Sequence, residues 1–152
     1  MIKLLDIYNV FGDLSLITHH GRIIPLDYEE MKKFDIDLEF GQMGEEFVRD
    51  LQNGNNKIEV KTERDIWKTT GNIAVEIRCN GKPSGISTTG SNIWIHLLSD
   101  NNKIVGGYIF SVDYLKQKII DLKKEGKLKL VMGGDFNASQ MALIPRTELF
   151  KT

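Results

Sequence analysis

Apolar and polar residues alternate along two short runs near the middle of the chain, KIEVKTE at 57–63 and NIAVEIR at 72–78. Alternation with a period of two predicts β-strands, because successive side chains of a strand point to opposite sides. Each run therefore has an apolar side and a polar side. If the two strands are neighbours in a sheet, the apolar side is buried and the opposite side brings together Glu59, Lys61 and Glu76.

Two carboxylates and an ammonium on one patch of sheet are costly to desolvate for structural reasons alone. A divalent-metal hydrolytic site requires groups of this kind. The simpler interpretation is a strand with a solvated charged side, in which a Glu–Lys cross-strand pair contributes only about 0.2–1 kcal/mol.

A helical pattern precedes the two strands. The segment 27–51 carries apolar residues at spacings of three and four, which predicts one apolar helix stripe: Phe40, Met43, Phe47 and Leu51. The turn-forming NGNN at 53–56 permits a second interpretation, a hairpin that would place Asp50 directly opposite Glu59. The helix to about Leu51 is favoured, and Asp50 remains a candidate for the metal site.

The rest of the chain predicts further strands at 93–98, 104–112, 127–134 and 141–145, the second with a glycine bulge. An amphipathic helix is expected between Asp113, as its N-cap, and Gly126. Small strands or an arm are expected at 1–26. The sequence has no repeats and no linker, so we expect a single domain over 1–152. The predicted class is α/β (α+β), with a central mixed sheet flanked by helices.

Composition narrows the classes of protein that fit this chain. Of its 152 residues, 41% are hydrophobic and 27% charged, as in ordinary globular domains, and the net charge is −1. The single cysteine, Cys79, excludes an intrachain disulfide and a cysteine-based zinc cluster. No apolar run reaches the ~20 residues of a membrane span, and the N-terminus does not read as a signal peptide. We expect a cytoplasmic protein without a membrane partner.

Two polar connections carry candidate nucleic-acid contacts. Arg64, Trp67 and Lys68 combine basic and aromatic groups, which suits a surface that contacts phosphates and bases. The stretch 79–92 is rich in Gly, Ser and Thr, and its Lys82 and Ser84 are typical phosphate contacts. For the first set, the structural interpretation is a tryptophan that packs over a sheet edge. For the second set, it is an ordinary loop. His96, on a buried strand, is more typical of a satisfied core histidine than of a metal ligand.

The triplet Glu59-Val60-Lys61 on an alternating strand, after a helix with a Gly-Glu start and near a second acid, resembles the PD-(D/E)XK nuclease superfamily. The resemblance covers about 41–98. EVKTE, TGNIAVEI and KPSGI further resemble small phage-encoded members. The resemblance implies a restriction-endonuclease-like fold. It also implies a Mg²⁺- or Mn²⁺-dependent nuclease that acts on DNA in the cytoplasm of a bacterial or phage-infected cell.

The resemblance also assigns roles to residues. Glu59 and the Val60 carbonyl would hold the metal, and Lys61 would orient or activate the attacking water. No Pro-Asp precedes the triplet, so the second acid is either Asp50 or Glu76. In a permuted version, Glu59 is the first acid and the triplet is 76–78. The helix glutamate of many members corresponds to Glu45 by its Gly-Glu context or to Glu46 by position; these two complete the set of candidate catalytic residues.

Two other classes of protein remain open. One is a catalytically inactive nucleic-acid-binding or assembly protein on the same fold, which predicts DNA binding that is indifferent to metal. The other is an unrelated α+β binding module, which predicts neither metal affinity nor cleavage. A nuclease that cuts two strands is expected to form a homodimer, with 93–98 or the first residues supplying an edge.

Overall fold

The computed structural model of the protein describes residues 14–17, 23–26 and 28–151. Contacts divide the chain into two compact units, Met1–Asn55 and Asn56–Thr152. The expectation of a single domain over the whole chain stays a prediction.

The first unit contains two strands and one long helix. β1 (Leu14–Ile17) and β2 (Ile23–Leu26) pair antiparallel, as expected for small strands in this region. α1 runs from Tyr28 to Gln52. The helix interpretation is therefore confirmed and the hairpin is wrong, because the backbone around Asp50 is helical and cannot form a strand. The apolar stripe lies on this helix, but Phe40, Met43 and Phe47 are exposed.

The second unit contains two sheets. The first has the order β3 (Ile58–Glu63), β6 (Ile93–Asp100) and β7 (Lys103–Ser111), with β3 and β6 parallel and β7 antiparallel to β6. The second is antiparallel throughout, in the order β5 (Lys82–Pro83), β4 (Asn72–Cys79), β9 (Ser139–Pro145) and β8 (Lys129–Gly133). The protein is thus of the mixed α+β class.

The expectation of one central mixed sheet is wrong, and so is the pairing of the two alternating runs as hydrogen-bonded neighbours. The first run, β3, takes β6 as its partner, whereas the second run, β4, takes β9. Within the part of the chain that the structure describes, the three-stranded sheet is the mixed one.

Two helices belong to the second unit, the short α2 (Trp67–Thr70) and α3 (Val112–Lys124). The cap of α3 is Ser111, whose hydroxyl accepts a hydrogen bond from the Tyr114 N–H at 3.1 Å. The expectation that Asp113 is the cap is wrong, because Asp113 already lies in the first helical turn, where its charge favours the helix N-terminus. The predicted end at Gly126 is confirmed, with φ of 68° and an N–H donated to the Lys123 carbonyl.

The core of the second unit is formed by apolar side chains of both sheets and of α3, including Ile73, Val75, Trp94, Phe110 and Leu115. The apolar side of β4 is therefore buried, as the alternation predicts. On β3 the prediction is wrong, because Ile58 and Val60 are 36% and 52% exposed. The half-buried side of β3 is the charged one, and the parallel register sets it beside Trp94 and His96.

A bulge predicted near the glycines of β7 is present, since the register shifts where Leu98 faces Gly106 and Ser99 faces Ile104. A second shift occurs on β4 between Glu76 and Arg78, so Ile77 is the extra residue. Among the described residues, no helix is long and apolar enough to cross a membrane.

Candidate active site

Glu59 and Lys61 lie on the same side of β3, two residues apart, and their side chains form an ion pair. The Lys61 Nζ lies 2.8 Å from the Glu59 Oε1. The same ammonium lies 5.9 Å from the centre of the Trp94 ring. The Lys61 side chain is 44% exposed and that of Glu59 25%. The pair is therefore open to solvent on one side and supported by an aromatic residue on the other.

The second oxygen of Glu59 is held by a loop that lies 30 residues further along the chain. The Thr89 hydroxyl donates a hydrogen bond to the Glu59 Oε2 at 2.8 Å. The hydrogen bond from Lys61, then that from Thr89, lowers the pKa of Glu59 against the opposing effect of burial. Glu59 is therefore ionised at neutral pH, with both of its oxygens oriented.

Glu76 lies on β4, next to the bulge at Ile77, and two serine hydroxyls hold its carboxylate. The Ser139 Oγ donates to the Glu76 Oε2 at 2.5 Å, and the Ser84 Oγ donates to the Oε1 at 2.6 Å. These two bonds, the one from Ser139 first, lower the pKa of Glu76. Bulges beside functional sites commonly aim a side chain in this way.

Electrostatic interaction connects the two carboxylates although they lie on different sheets. The positive charge of Lys61 lowers the pKa of Glu76, and the negative charge of Glu59 raises it. Glu59 and Lys61 are in direct contact, and Lys61 lines the same cavity as Glu76, although the two strands do not pair; that the three residues form one site stays a prediction.

One short loop contributes to both carboxylates, because Ser84 and Thr89 flank the 3₁₀ turn at Gly85–Ser87. Gly85 has φ of 55°, and a Cβ at this position would lie 2.4 Å from the Glu76 carbonyl oxygen. Glycine is therefore required here both for its conformation and for the close approach to β4. The buried Ile86 fixes the loop to the core.

A small cavity of about 180 Å³ opens beside Glu76. Its lining includes Lys61, Glu63, Glu76 and His96. His96 is 1% exposed, and its Nε2 lies 3.1 Å from the Glu63 Oε2, so the expectation of a satisfied core histidine is confirmed.

The candidate nucleic-acid contacts occupy different environments. Trp67 is half-buried against the core, donates its indole N–H to the Ser99 carbonyl at 2.8 Å, and has the Arg146 guanidinium 4.9 Å from its ring centre. Lys68 forms an ion pair with Asp100. Of the remaining candidates, Arg64 and Lys82 are exposed, and Ser84 is half-buried in its bond to Glu76. Contact of this set with nucleic acid stays a prediction.

The helix candidates Glu45, Glu46 and Asp50 lie on α1, in the first unit, with exposed side chains. Their participation stays a prediction. The hairpin that would have put Asp50 opposite Glu59 is absent, so that argument for Asp50 no longer holds. Arg78, from the permuted version of the motif, is exposed near the end of β4.

Sequence reasoning missed three residues that contact this site: Thr89, Ser139 and Glu63. Glu63 could have been found, because it continues the polar side of β3 after Lys61. Ser139 is 63 residues from Glu76, and only the pairing of β4 with β9 brings it near. No local pattern marks Thr89 as different from the other hydroxyl residues of its loop.

The chemistry of the donor set fits a magnesium ion. Mg²⁺ is bound in proteins through one or two carboxylates while it keeps several waters. Glu59 and Glu76 provide two ionised carboxylates, whose oxygens keep lone pairs beyond their hydrogen bonds. Across the described ranges, no group of three or more His, Cys, Asp or Glu residues is arranged to hold a metal. A metal here would therefore depend on this pair, with the Val60 carbonyl as the further ligand that the resemblance implies.

Comparison of the chain with family models, with curated proteins and with solved structures found no match.

Proposed function

We propose that the protein is a metal-dependent deoxyribonuclease of the PD-(D/E)XK, restriction-endonuclease-like type, which hydrolyses DNA phosphodiester bonds. The observation that carries the proposal is the cluster of Glu59, Lys61 and Glu76. Lys61 forms an ion pair with Glu59 at 2.8 Å and lines one cavity together with Glu76, and the pKa values of both carboxyl groups are lowered. A purely structural role does not require burying part of this charge.

Glu59 and Glu76 would hold Mg²⁺ or Mn²⁺, together with the Val60 carbonyl. When bound, the metal supplies a Lewis acid that stabilises charge on the phosphate and makes a water molecule more acidic. Thr89 orients Glu59, whereas Ser84 and Ser139 orient Glu76. Because these hydroxyls fix the carboxylates before a ligand arrives, less reorganisation is needed on binding.

Lys61 would orient the attacking water and stabilise the charge that develops on the phosphate. Its ammonium is anchored 2.8 Å from Glu59 and remains 44% exposed, so it can reach a substrate in the adjoining space. A point charge with three donors on a flexible stem suits contact with a phosphate oxygen or a water.

The test is cleavage of plasmid, linear duplex, single-stranded and branched DNA, with Mg²⁺, with Mn²⁺ and with chelator. The wild type is compared with Glu59→Gln and Lys61→Ala, and with Lys103→Ala as a control, an exposed lysine on β7. We expect metal-dependent cleavage that the first two variants lose and the control retains. All variants must keep the wild-type unfolding temperature within a few degrees.

Two results would contradict the proposal. A wild type that cuts none of the substrates under any metal condition excludes the nuclease function. If it then binds DNA equally with metal and with chelator, an inactive nucleic-acid-binding protein is the better account. A folded Glu59→Gln variant with full activity would remove Glu59 from the mechanism.

A further inference from the structure

Glu63 forms a direct link between the two strands that carry the proposed site. One oxygen of its carboxylate, Oε2, accepts the main-chain N–H of Ala74 at 2.8 Å and lies 3.1 Å from the His96 Nε2. The Glu63 side chain is 11% exposed and that of His96 1%. The link therefore connects β3, β4 and β6 at a mostly buried position that borders the cavity.

The hydrogen-bond directions in this network follow from Trp94. Its indole N–H, which can only donate, contacts the His96 Nδ1 in a long bond of 3.4 Å. The Nδ1 is therefore the acceptor, and the proton of the imidazole lies on Nε2, from which it is donated to Glu63. All three polar side chains have defined partners.

The position of Glu63 explains why a carboxylate occupies this place. Glu63 follows Lys61 by two residues on the same side of β3, and Ala74 precedes Glu76 by two residues on the same side of β4. Since β3 and β4 do not pair, the Ala74 N–H needs another acceptor, and Glu63 provides it. Two residues of strand span about 6.6 Å, so the link lies one side-chain position from Glu76 on β4 and from Lys61 on β3, and two positions from Glu59.

We infer that Glu63, held by His96, is a positioning residue that fixes the spacing between Glu59 and Glu76. The inference rests on the proposed function, because the spacing matters only if both carboxylates hold one metal. Glu63 acts through its hydrogen bonds to Ala74 and His96 and does not itself touch the metal. Residues hydrogen-bonded directly to metal ligands typically change metal affinity by about 10–100-fold when they are removed. Glu63 acts on the ligands through the main chain of β4, so we expect its effect at the lower end of that range.

The experiment compares Glu63→Gln with Glu63→Ala. Glutamine keeps a carbonyl oxygen that can accept both N–H groups, and its amide can be hydrated in the adjoining cavity, whereas alanine keeps nothing. Mn²⁺ affinity is measured by calorimetry, well below the unfolding temperature of each variant. Glu125→Ala, at an exposed position after α3, serves as the control.

We expect Glu63→Ala to bind Mn²⁺ about 10-fold more weakly, and Glu63→Gln to bind it with nearly the wild-type affinity. At saturating metal, kcat should fall in the alanine variant while KM for DNA stays unchanged. In the metal-free protein, amide hydrogen exchange of Ala74 should accelerate in Glu63→Ala and stay slow in Glu63→Gln.

Each contrary result has a separate meaning. If glutamine loses as much Mn²⁺ affinity as alanine, the charge of Glu63 itself acts on the metal and the positioning role is wrong. Unchanged affinity and unchanged Ala74 exchange in Glu63→Ala overturn the link. A wild type that binds no Mn²⁺ overturns the proposed function and the positioning role together, and the exchange of Ala74 still decides whether the link exists.

Discussion

Removal of the Ser139 hydroxyl tests how the protein holds Glu76. Ser139 is 7% exposed, and its Oγ donates to Glu76 at 2.5 Å. A hydrogen bond to a charged group contributes about 1.5–3 kcal/mol, against about 0.5–1.5 kcal/mol for a neutral pair. We therefore expect Ser139→Ala to lower the free energy of unfolding by about 2 kcal/mol. Ser84→Ala should cost less, because Ser84 is half-buried and water can replace its hydroxyl.

A double-mutant cycle separates the charged component of this bond from the rest. In a Glu76→Gln background the Ser139 hydroxyl meets a neutral amide, so Ser139→Ala should cost about 1 kcal/mol less than it does in the wild type. Ser87→Ala, in the same loop but exposed, is the control and should change stability by less than about 0.5 kcal/mol.

The assay is urea unfolding followed by circular dichroism. With an m-value of about 2 kcal/mol/M, a loss of about 2 kcal/mol lowers the midpoint by about 1 M, which is readily measured. Equal costs of Ser139→Ala in both backgrounds would refute the reasoning, because the hydroxyl would then not be stabilising the charge of Glu76.

Three further predictions concern glycine positions and pH. Gly85→Ala should destabilise the protein by more than the ~1–2 kcal/mol cost of a left-handed conformation, because the added Cβ would also lie 2.4 Å from the Glu76 carbonyl oxygen. Gly90→Ala is the control: an added Cβ has nothing within 4 Å, so its free energy of unfolding should be nearly unchanged in the same urea assay. Gly107→Ala would place a Cβ 2.6 Å from a backbone carbonyl oxygen of β6 and should cost about 1–3 kcal/mol, whereas Gly106→Ala meets open space; equal stability of the two variants would contradict this. Because the folded-state pKa of Glu76 is lowered from 4.5, its contribution is present above that pH and is lost as the pH falls below it. The stability advantage of the wild type over Glu76→Gln should thus be flat at neutral pH and shrink below about 4.5; an advantage that stays constant into acid would count against the hydroxyl-held carboxylate.

The sequence predicted the strands and the side of each strand on which the charged residues lie, because both depend on local order. The approach of Lys61 to Glu76 was expected from a pairing of β3 with β4, which the structure does not contain. Alternation placed Glu59 and Lys61 on one side of a strand and Glu76 on the polar side of another, and the structure keeps these assignments. Alternation does not say which side is buried. On β3 the charged side lies against Trp94 and the apolar side, with Val60, is exposed.

The partners of the carboxylates depend on contacts between distant parts of the chain, which local patterns do not encode. Ser139 reaches Glu76 from 63 residues away and Thr89 reaches Glu59 from 30 residues away. The division of the strands into two sheets also depends on contacts between distant parts of the chain. It follows from β3 pairing with a strand that begins at Ile93, and the Glu63 side chain replaces the main-chain bonds that were expected between the two runs.

The account depends most on the claim that Glu59 and Glu76, from separate sheets, bind one divalent metal. Calorimetric titration of the metal-free protein with Mn²⁺ tests this claim directly, with the wild type beside Glu59→Gln and Glu76→Gln. We predict a single site in the wild type that is lost in each variant, because neither carboxylate alone suffices. No binding by the wild type, or unchanged binding by either folded variant, would contradict the account.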